Sequence, residues 1–506
     1  MLSAVVHSLN PEDINGEEVL ESDLAAEFPL YIYQPDNAEY LLYSRSIQLL
    51  LEDPRVKKPL ATSDEGVLFL LQSGVIPPPK TIYKNIYVLG IGDKAMVRAD
   101  GRRIGLEFDH DFPFRNAERL APEEMTPDDD HILQLVAEAA IIRVDPSKHT
   151  FLFHSAGKDS NTIALALAEA GWQEKVTLVT HKSSGENDES AISERIAKKL
   201  GFEHRILRTT VNLDGNHKRR IENFFIESPF PSCDAATFAY LDHLGQVPEL
   251  ENSNIIDGGG NDSYMMAPPS HRELMLLRLS EMAGMAKFVR SFVKSEGLLN
   301  AALREPAERW GLSGFSSRDA SIIFASSYEV IPYWRDISRK WKTFDVIEFK
   351  TDVLTTIVAA ESHIRKIRNF ADCVGSNLVL PFANEGVADY FSRLPEGDLF
   401  DRRTGKNKLV LRKLLKKRIG LDSDAIGKKG FSYDYRALMK ENWEWFMDEI
   451  RSCRLWDKVG LEMVLPRFER AVLNGHRRAF MAEHLIYRLY LVSAWFNHNK
   501  YANEEQ

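Results

Sequence analysis

The hexapeptide Ser155-Ala156-Gly157-Lys158-Asp159-Ser160 concentrates anion-binding chemistry in one turn. It stands between an apolar run, Phe151–His154, and a helical pattern that begins near Asn161. Small residues let the backbone pass close to an anion, and successive N–H groups at a helix start form a positive nest. Ser155 and Ser160 add hydroxyl donors. Asp159 adds a hard oxygen of the kind Mg²⁺ takes. An ordinary strand–turn–helix corner uses the same residue types, so the setting of the turn decides between the two readings.

That setting is a strand–helix alternation. Ile132–Ile142 reads as an amphipathic helix, Thr150–His154 as a short strand, and Asn161–Ala170 as a helix stopped by Gly171. A second buried-type strand follows at Val176–Thr180, then a helix at Glu189–Leu200 closed by Gly201, then a strand at His204–Leu207. This βαβ spacing predicts an α/β fold, a parallel sheet flanked by helices. Beyond about residue 270 the pattern is mostly helical. Upstream, Leu30–Tyr33 and Tyr40–Tyr43 read as strands, Glu65–Gln72 as a short helix, and Ile86–Leu89 and Ala95–Arg98 as strands around Gly90-Ile-Gly-Asp. The run Pro77-Pro78-Pro79 predicts an extended segment crossing the surface. The acidic stretch Pro122–Asp130 marks a boundary, which predicts a small β-rich domain over residues 1–125 and a larger one over 126–506.

Composition narrows the class. The 506 residues are 44% hydrophobic and 27% charged, with a net charge of −10. No global basic field favours nucleic acid or an anionic membrane. Cys233, Cys373 and Cys453 are far apart and odd in number, so neither a disulfide framework nor a zinc ribbon is expected, and a reducing cytoplasm fits. No secretory signal and no apolar run of about 20 residues is read. Nine Lys or Arg crowd Arg402–Arg418. A nucleic-acid patch is one reading; a helix with Leu409, Leu411, Leu414 and Leu415 inward and a solvated or phosphate-facing basic side is the plainer one. His154 and His363 lie near the candidate segments without metal-ligand spacing, and each is read as a satisfied histidine.

The Ser155–Ser160 spacing resembles S-G-G-x-D-S, the pyrophosphate loop of ATP pyrophosphatases, with Ala156 in place of the first glycine. Further segments extend the resemblance to the asparagine synthetase family. Asp188-Glu-Ser follows the second strand where that family carries an acidic pair. Asp257-Gly258-Gly259-Gly260-Asn261-Asp262-Ser263 resembles S-G-E-G-A-D-E, with Gly259 and Ser263 replacing two glutamates. Pro381-Phe-Ala-Asn, Lys408-Leu-Val-Leu-Arg412 and Lys428-Lys-Gly-Phe431 are similar to P-F-L-D, K-x-x-L-R and K-x-G-F, in the same order.

The resemblance implies an adenine-nucleotide hydrolase-like fold, ATP and Mg²⁺ as cofactors, and an AMP-forming ligase. It implies nucleotide contacts by Ser155–Ser160 and Gly258–Gly260, and Mg²⁺ on Asp159 and Asp262. Lys408 is then phosphate-side and Lys428 acts in the second step; for either lysine alone a solvated surface charge is the plainer reading. The expected partners are small-molecule or peptide carboxylates and amines, and a homodimer is open to it. Residues 44–86 look like part of the family's glutaminase domain, shortened. Leu2 stands where the glutaminase requires cysteine, so no glutamine hydrolysis is expected. The amine is then ammonia, a group on the substrate itself as in β-lactam synthetases and lasso-peptide cyclases, or a second molecule. The altered Gly259 and Ser263, with the Val374–Leu380 stretch, favour a specialised substrate over aspartate. A tRNA-modifying enzyme on the same loop and a non-catalytic nucleotide scaffold are the readings from other classes.

Overall fold

The computed structural model describes residues 5–183, 188–283, 304–427, 433–475 and 479–502. The front of the chain forms seven strands: β1 (His7–Leu9), β2 (Glu17–Glu21), β3 (Leu30–Tyr33), β4 (Leu41–Ser44), β5 (Ile86–Leu89), β6 (Asp93–Asp100) and β7 (Arg103–His110). They make two antiparallel sheets, in the orders β1-β4-β3-β5 and β2-β6-β7. Leu20, Ile32, Leu41, Leu89, Val97 and Ile104 are buried together as their shared core. Other front residues pack elsewhere. Ile91, Phe112 and Phe114 join the same cluster as Leu152 and Ile163 from the parallel sheet and its helix. Within the proline run Pro77 is buried, whereas Pro78 and Pro79 stay partly exposed, and Pro78 lines a cleft.

The larger sheet is parallel throughout, as the alternation predicts. It comprises β8 (Thr150–Phe153), β9 (Val176–Lys182), β10 (Glu203–Arg208), β11 (Asn254–Ile256) and β12 (Asn377–Val379), in the order β10-β9-β8-β11-β12. Period-two alternation sends Leu152, Leu178 and Ile256 to one face, against Ile132 and Ile163 of the covering helices. Phe151, Val179 and Ile255 go to the other face, with Tyr240 and Phe370. Each such side chain contributes roughly 1.5–3 kcal/mol by leaving water. Because both faces are buried, the strands read as short apolar runs. No described helix is long and apolar enough to cross a membrane.

One ionic bridge ties the front sheets to the larger body. His110, at the end of β7, places Nδ1 2.7 Å from Asp93 Oδ1 and Nε2 2.8 Å from Asp352 Oδ1. Burial pulls its pKa down, but Asp352 and Asp93 outweigh burial and push it up to about 10. A raised folded-state pKa means stabilisation that is full below the ordinary value near 6.5 and lost as pH rises through about 10. The melting temperature should therefore fall from pH 6.5 to 10, with on the order of 2–4 kcal/mol lost. In His110→Gln that part of the slope should vanish. Equal slopes in melts of the two proteins would refute the linkage.

Candidate functional site

The C-terminal ends of β8 and β11 face the same crevice, the usual ligand position in an open α/β sheet. After β8 the chain bends through Ser155–Gly157 and enters the helix Lys158–Glu169, three residues earlier than the pattern suggested. Asp159 and Ser160 thus occupy the helix's first turn, where the macrodipole favours negative charge. Gly157, the N-cap, brings no side-chain acceptor to that turn. A Cβ there would lie 2.9 Å from Ser155 Oγ, so a larger residue would have to displace that hydroxyl from its contact with the Gly157 N–H. Ala156 lies outside the left-handed region, which explains why alanine is accommodated in a position the resemblance gives to glycine. The loop is laced internally. Ser155 N–H donates to Ser160 Oγ (3.2 Å), Gly157 N–H to Ser155 Oγ (3.0 Å) and Ala156 N–H to Glu189 Oε2 (3.0 Å).

The glycine-rich turn after β11 packs directly on this loop. A Cβ on Gly258 would sit 3.1 Å from Asp159 Cβ and from Ser160 N. Gly260 has φ +108°, and a Cβ there would meet Ala383 at 2.8 Å. The small residues therefore serve approach between two loops. Gly259 lies beside Ile364 in the wall of the cleft.

Lys408 is the centre of the arrangement. Its Nζ lies 2.7 Å from Asp159 Oδ2, 2.8 Å from Asp262 Oδ1 and 2.8 Å from Asn261 Oδ1. Asn261 Nδ2 in turn donates to Asp159 Oδ1 at 2.7 Å. Lys408 is buried, with φ +55° at the cap of the helix Leu409–Ile419. A lysine in the left-handed region costs on the order of 1 kcal/mol or more, and such strain clusters at functional sites. Burial pulls the ammonium's pKa down; Asp159 and Asp262 more than compensate and hold it above its ordinary value.

Two carboxylates converging on one ammonium form a hard-oxygen set that fits Mg²⁺. Among the described residues no group of three or more His, Cys, Asp or Glu could hold a metal. A divalent ion here would therefore take Asp159 and Asp262 and complete its shell from phosphate and water oxygens, the usual habit of Mg²⁺.

Ser155–Ser160, Gly258–Gly260, Asp262 and Lys408 are thus brought together, whereas Lys428 lies outside the described residues. The basic segment is largely paired. Arg402 meets Asp345 and Glu396, Lys406 and Arg412 meet Asp424, Lys416 meets Asp422, Lys417 meets Asp129 and Arg418 meets Asp130. Leu411, Leu414 and Leu415 are buried, and Leu409 partly so. His154 is buried against Asn161 (3.0 Å), with its pKa pushed down to about 3 by burial. His363 instead lines the cleft, 3.6 Å from Asp234.

Three participants had no assigned role in the sequence. Glu189 ties down the loop and Asn261 bridges Asp159 to Lys408. Asp257 is partly buried and lines the cleft, its carboxyl pushed up to about 6 by desolvation, with the Gly259 amide pulling it down. Asn261 and Asp257 were readable as departures from the alanine and serine of S-G-E-G-A-D-E.

The asparagine synthase family model matches residues 131–496. The chain belongs to the asparagine synthase family. At that level it is an ATP-dependent, amide-forming ligase. No curated protein matches it.

Proposed function

We propose that this family member activates a carboxylate with ATP, releases pyrophosphate and passes the acyl group to an amine, in specialised metabolism. The observation that carries the reading is the convergence of Asp159, Asp262 and Lys408 beside the Ser155–Ser160 loop. In the first step a carboxylate oxygen attacks the α-phosphorus of ATP, and the bond to pyrophosphate breaks. Negative charge gathers on the leaving group, where Lys408 and the N–H groups at the start of the helix Lys158–Glu169 can meet it. Mg²⁺ on Asp159 and Asp262 would add charge neutralisation and orient the phosphates. The amine then attacks the acyl carbon, loses a proton and expels AMP. The domain division at residue 125 belongs to the same proposal, with the front sheets acting as structural support.

Burial argues against a thiol nucleophile among the described residues. It pushes the Cys233 thiol up to about 11 and the Cys373 and Cys453 thiols to about 12. Ammonia-dependent asparagine synthesis remains the alternative within the family. The pairing of the Arg402–Arg418 basic groups favours a small-molecule ligase over a tRNA-modifying enzyme.

The test is pyrophosphate release over a panel of carboxylic acids, with and without ammonia or amines. Lys428 separates the half-reactions. Lys428→Ala should lower net amide formation by about 10² while acid-dependent exchange of pyrophosphate into ATP falls much less. Equal loss of both, or a larger loss in Lys429→Ala, would show the K-x-G-F assignment to be wrong.

A further inference from the structure

We infer that Asp257 is a catalytic residue of the second step, the group that accepts the proton given up by the amine as it attacks the acyl carbon. This rests on the ligase reading above and fills a role which that reading leaves open.

A cleft of about 110 Å³ runs from Asp257, Gly259, Gly260 and Asp262 to the helical turns Asp352–Ile364. Asp262 ties it to Lys408, so an acyl-adenylate with its phosphate beside Lys408 has this space for its acyl end. The amine must bring its nitrogen to the same space, and a proton acceptor must stand within hydrogen-bond reach of it.

Among the described residues, four side chains of the lining could take a proton: Asp257, Asp262, Glu361 and His363. Three are committed elsewhere. Asp262 faces Lys408 at 2.8 Å. Glu361 gives one oxygen to Arg365 Nε (3.1 Å) and the other to Nη2 (2.9 Å). His363 lies 3.6 Å from Asp234, with its side chain 67% exposed to water.

Asp257 differs. Its Oδ1 accepts the Gly259 N–H at 2.8 Å, and its Oδ2 takes no hydrogen bond among the described residues. Gly259 leaves the carboxylate uncovered. A Cβ there would lie 3.1 Å from Asp257 Oδ1 and 3.1 Å from Ile364 Cδ1, so a side chain would stand between the carboxylate and the opposite wall. The charged groups that face Asp257 are Lys366, on the helix Arg365–Cys373, and Asp159, on the helix Lys158–Glu169; Tyr240 faces it from the helix Ala239–Gln246. Desolvation is the largest influence and pushes the carboxyl up to about 6; the Gly259 amide and Lys366 pull it down, and Asp159 adds to the rise. The group is therefore ionised at neutral pH, yet a better acceptor than a carboxylate of the ordinary value near about 4.

The step balances. Attack forms the N–C bond and leaves positive charge on the nitrogen. One N–H proton passes to Asp257 Oδ2 as the C–O bond to the phosphate breaks, and AMP leaves with the electron pair.

The test separates the half-reactions in the full chain, with aspartate, glutamate, hexanoate and phenylacetate as acids and ammonia and glycine as amines. Asp257→Asn keeps the shape and an oxygen for the Gly259 N–H but accepts no proton. It should lower amide formation at least about 100-fold, while acid-dependent exchange of pyrophosphate into ATP falls less than about tenfold. Asp257→Ser, a smaller side chain, should show the same split and serves should the first variant fold poorly. Amide formation within about tenfold of wild type, or equal loss of both half-reactions in both variants, would overturn the inference while sparing the ligase reading. A larger loss of amide formation in His363→Asn than in Asp257→Asn would give the role to His363 and overturn it too. Absence of acid-dependent exchange in the wild type with every acid would overturn the ligase reading and this inference with it.

Discussion

Lys408→Met should abolish acid-dependent release of pyrophosphate, with a loss of 10² or more, about 3 kcal/mol or greater. The reason lies in what the ammonium touches. It is the cation between Asp159 and Asp262 in the free protein, and it stands beside the loop expected to receive the leaving phosphates. Methionine keeps the length and apolar stem and removes only the charge. The same change leaves two carboxylates and Asn261 facing one another without a cation, so the variant should also melt at lower temperature. Mg²⁺ can replace the missing charge at such a pair. Added Mg²⁺ should therefore raise the melting temperature of Lys408→Met more than that of the wild type. Activity within tenfold of wild type, or a Mg²⁺ response no larger than wild type, would remove Lys408 from the centre of the site.

Lys408 also shows what the sequence could and could not convey. Its place in K-x-x-L-R marked it as phosphate-side, but its neighbours come from the helix start after β8 and the turn after β11, 249 and 147 residues away in the chain. Only the fold brings Asp159, Asn261, Asp262 and Lys408 together. The parallel sheet was legible because both its faces are buried, which leaves strong apolar runs at Phe151 and Val176. β2, with the sequence Glu-Glu-Val-Leu-Glu, was not, because as an edge strand it buries only Leu20. β12 was hidden in Val374–Leu380, where three paired residues suffice beside β11. The start of the helix at Lys158 was missed since Asp159 and Ser160 resemble turn residues; at a helix N-terminus these types are favoured.

Asp159→Asn and Asp262→Asn should each lower acid-dependent pyrophosphate release by 10² or more, but with different effects on stability. Asp262 is held by Lys408 and its side chain is 56% exposed. Its amide would lose the charge that Mg²⁺ requires while disturbing little else, and the melting temperature should stay within about 2 °C of wild type. Asp159 is 26% exposed and satisfied on both oxygens, by Lys408 on Oδ2 and by Asn261 Nδ2 on Oδ1. An amide in that position must turn its NH₂ toward one of two donors. One hydrogen bond is lost and a donor is left facing a donor, a cost of roughly 1–3 kcal/mol, so Asp159→Asn should melt several degrees lower. Pyrophosphate release and melting curves on the two variants measure both expectations. Loss of activity below about tenfold, or 1.4 kcal/mol, in either variant would place the metal elsewhere. A larger melting shift at Asp262 than at Asp159 would contradict the hydrogen-bond network that holds the two loops together.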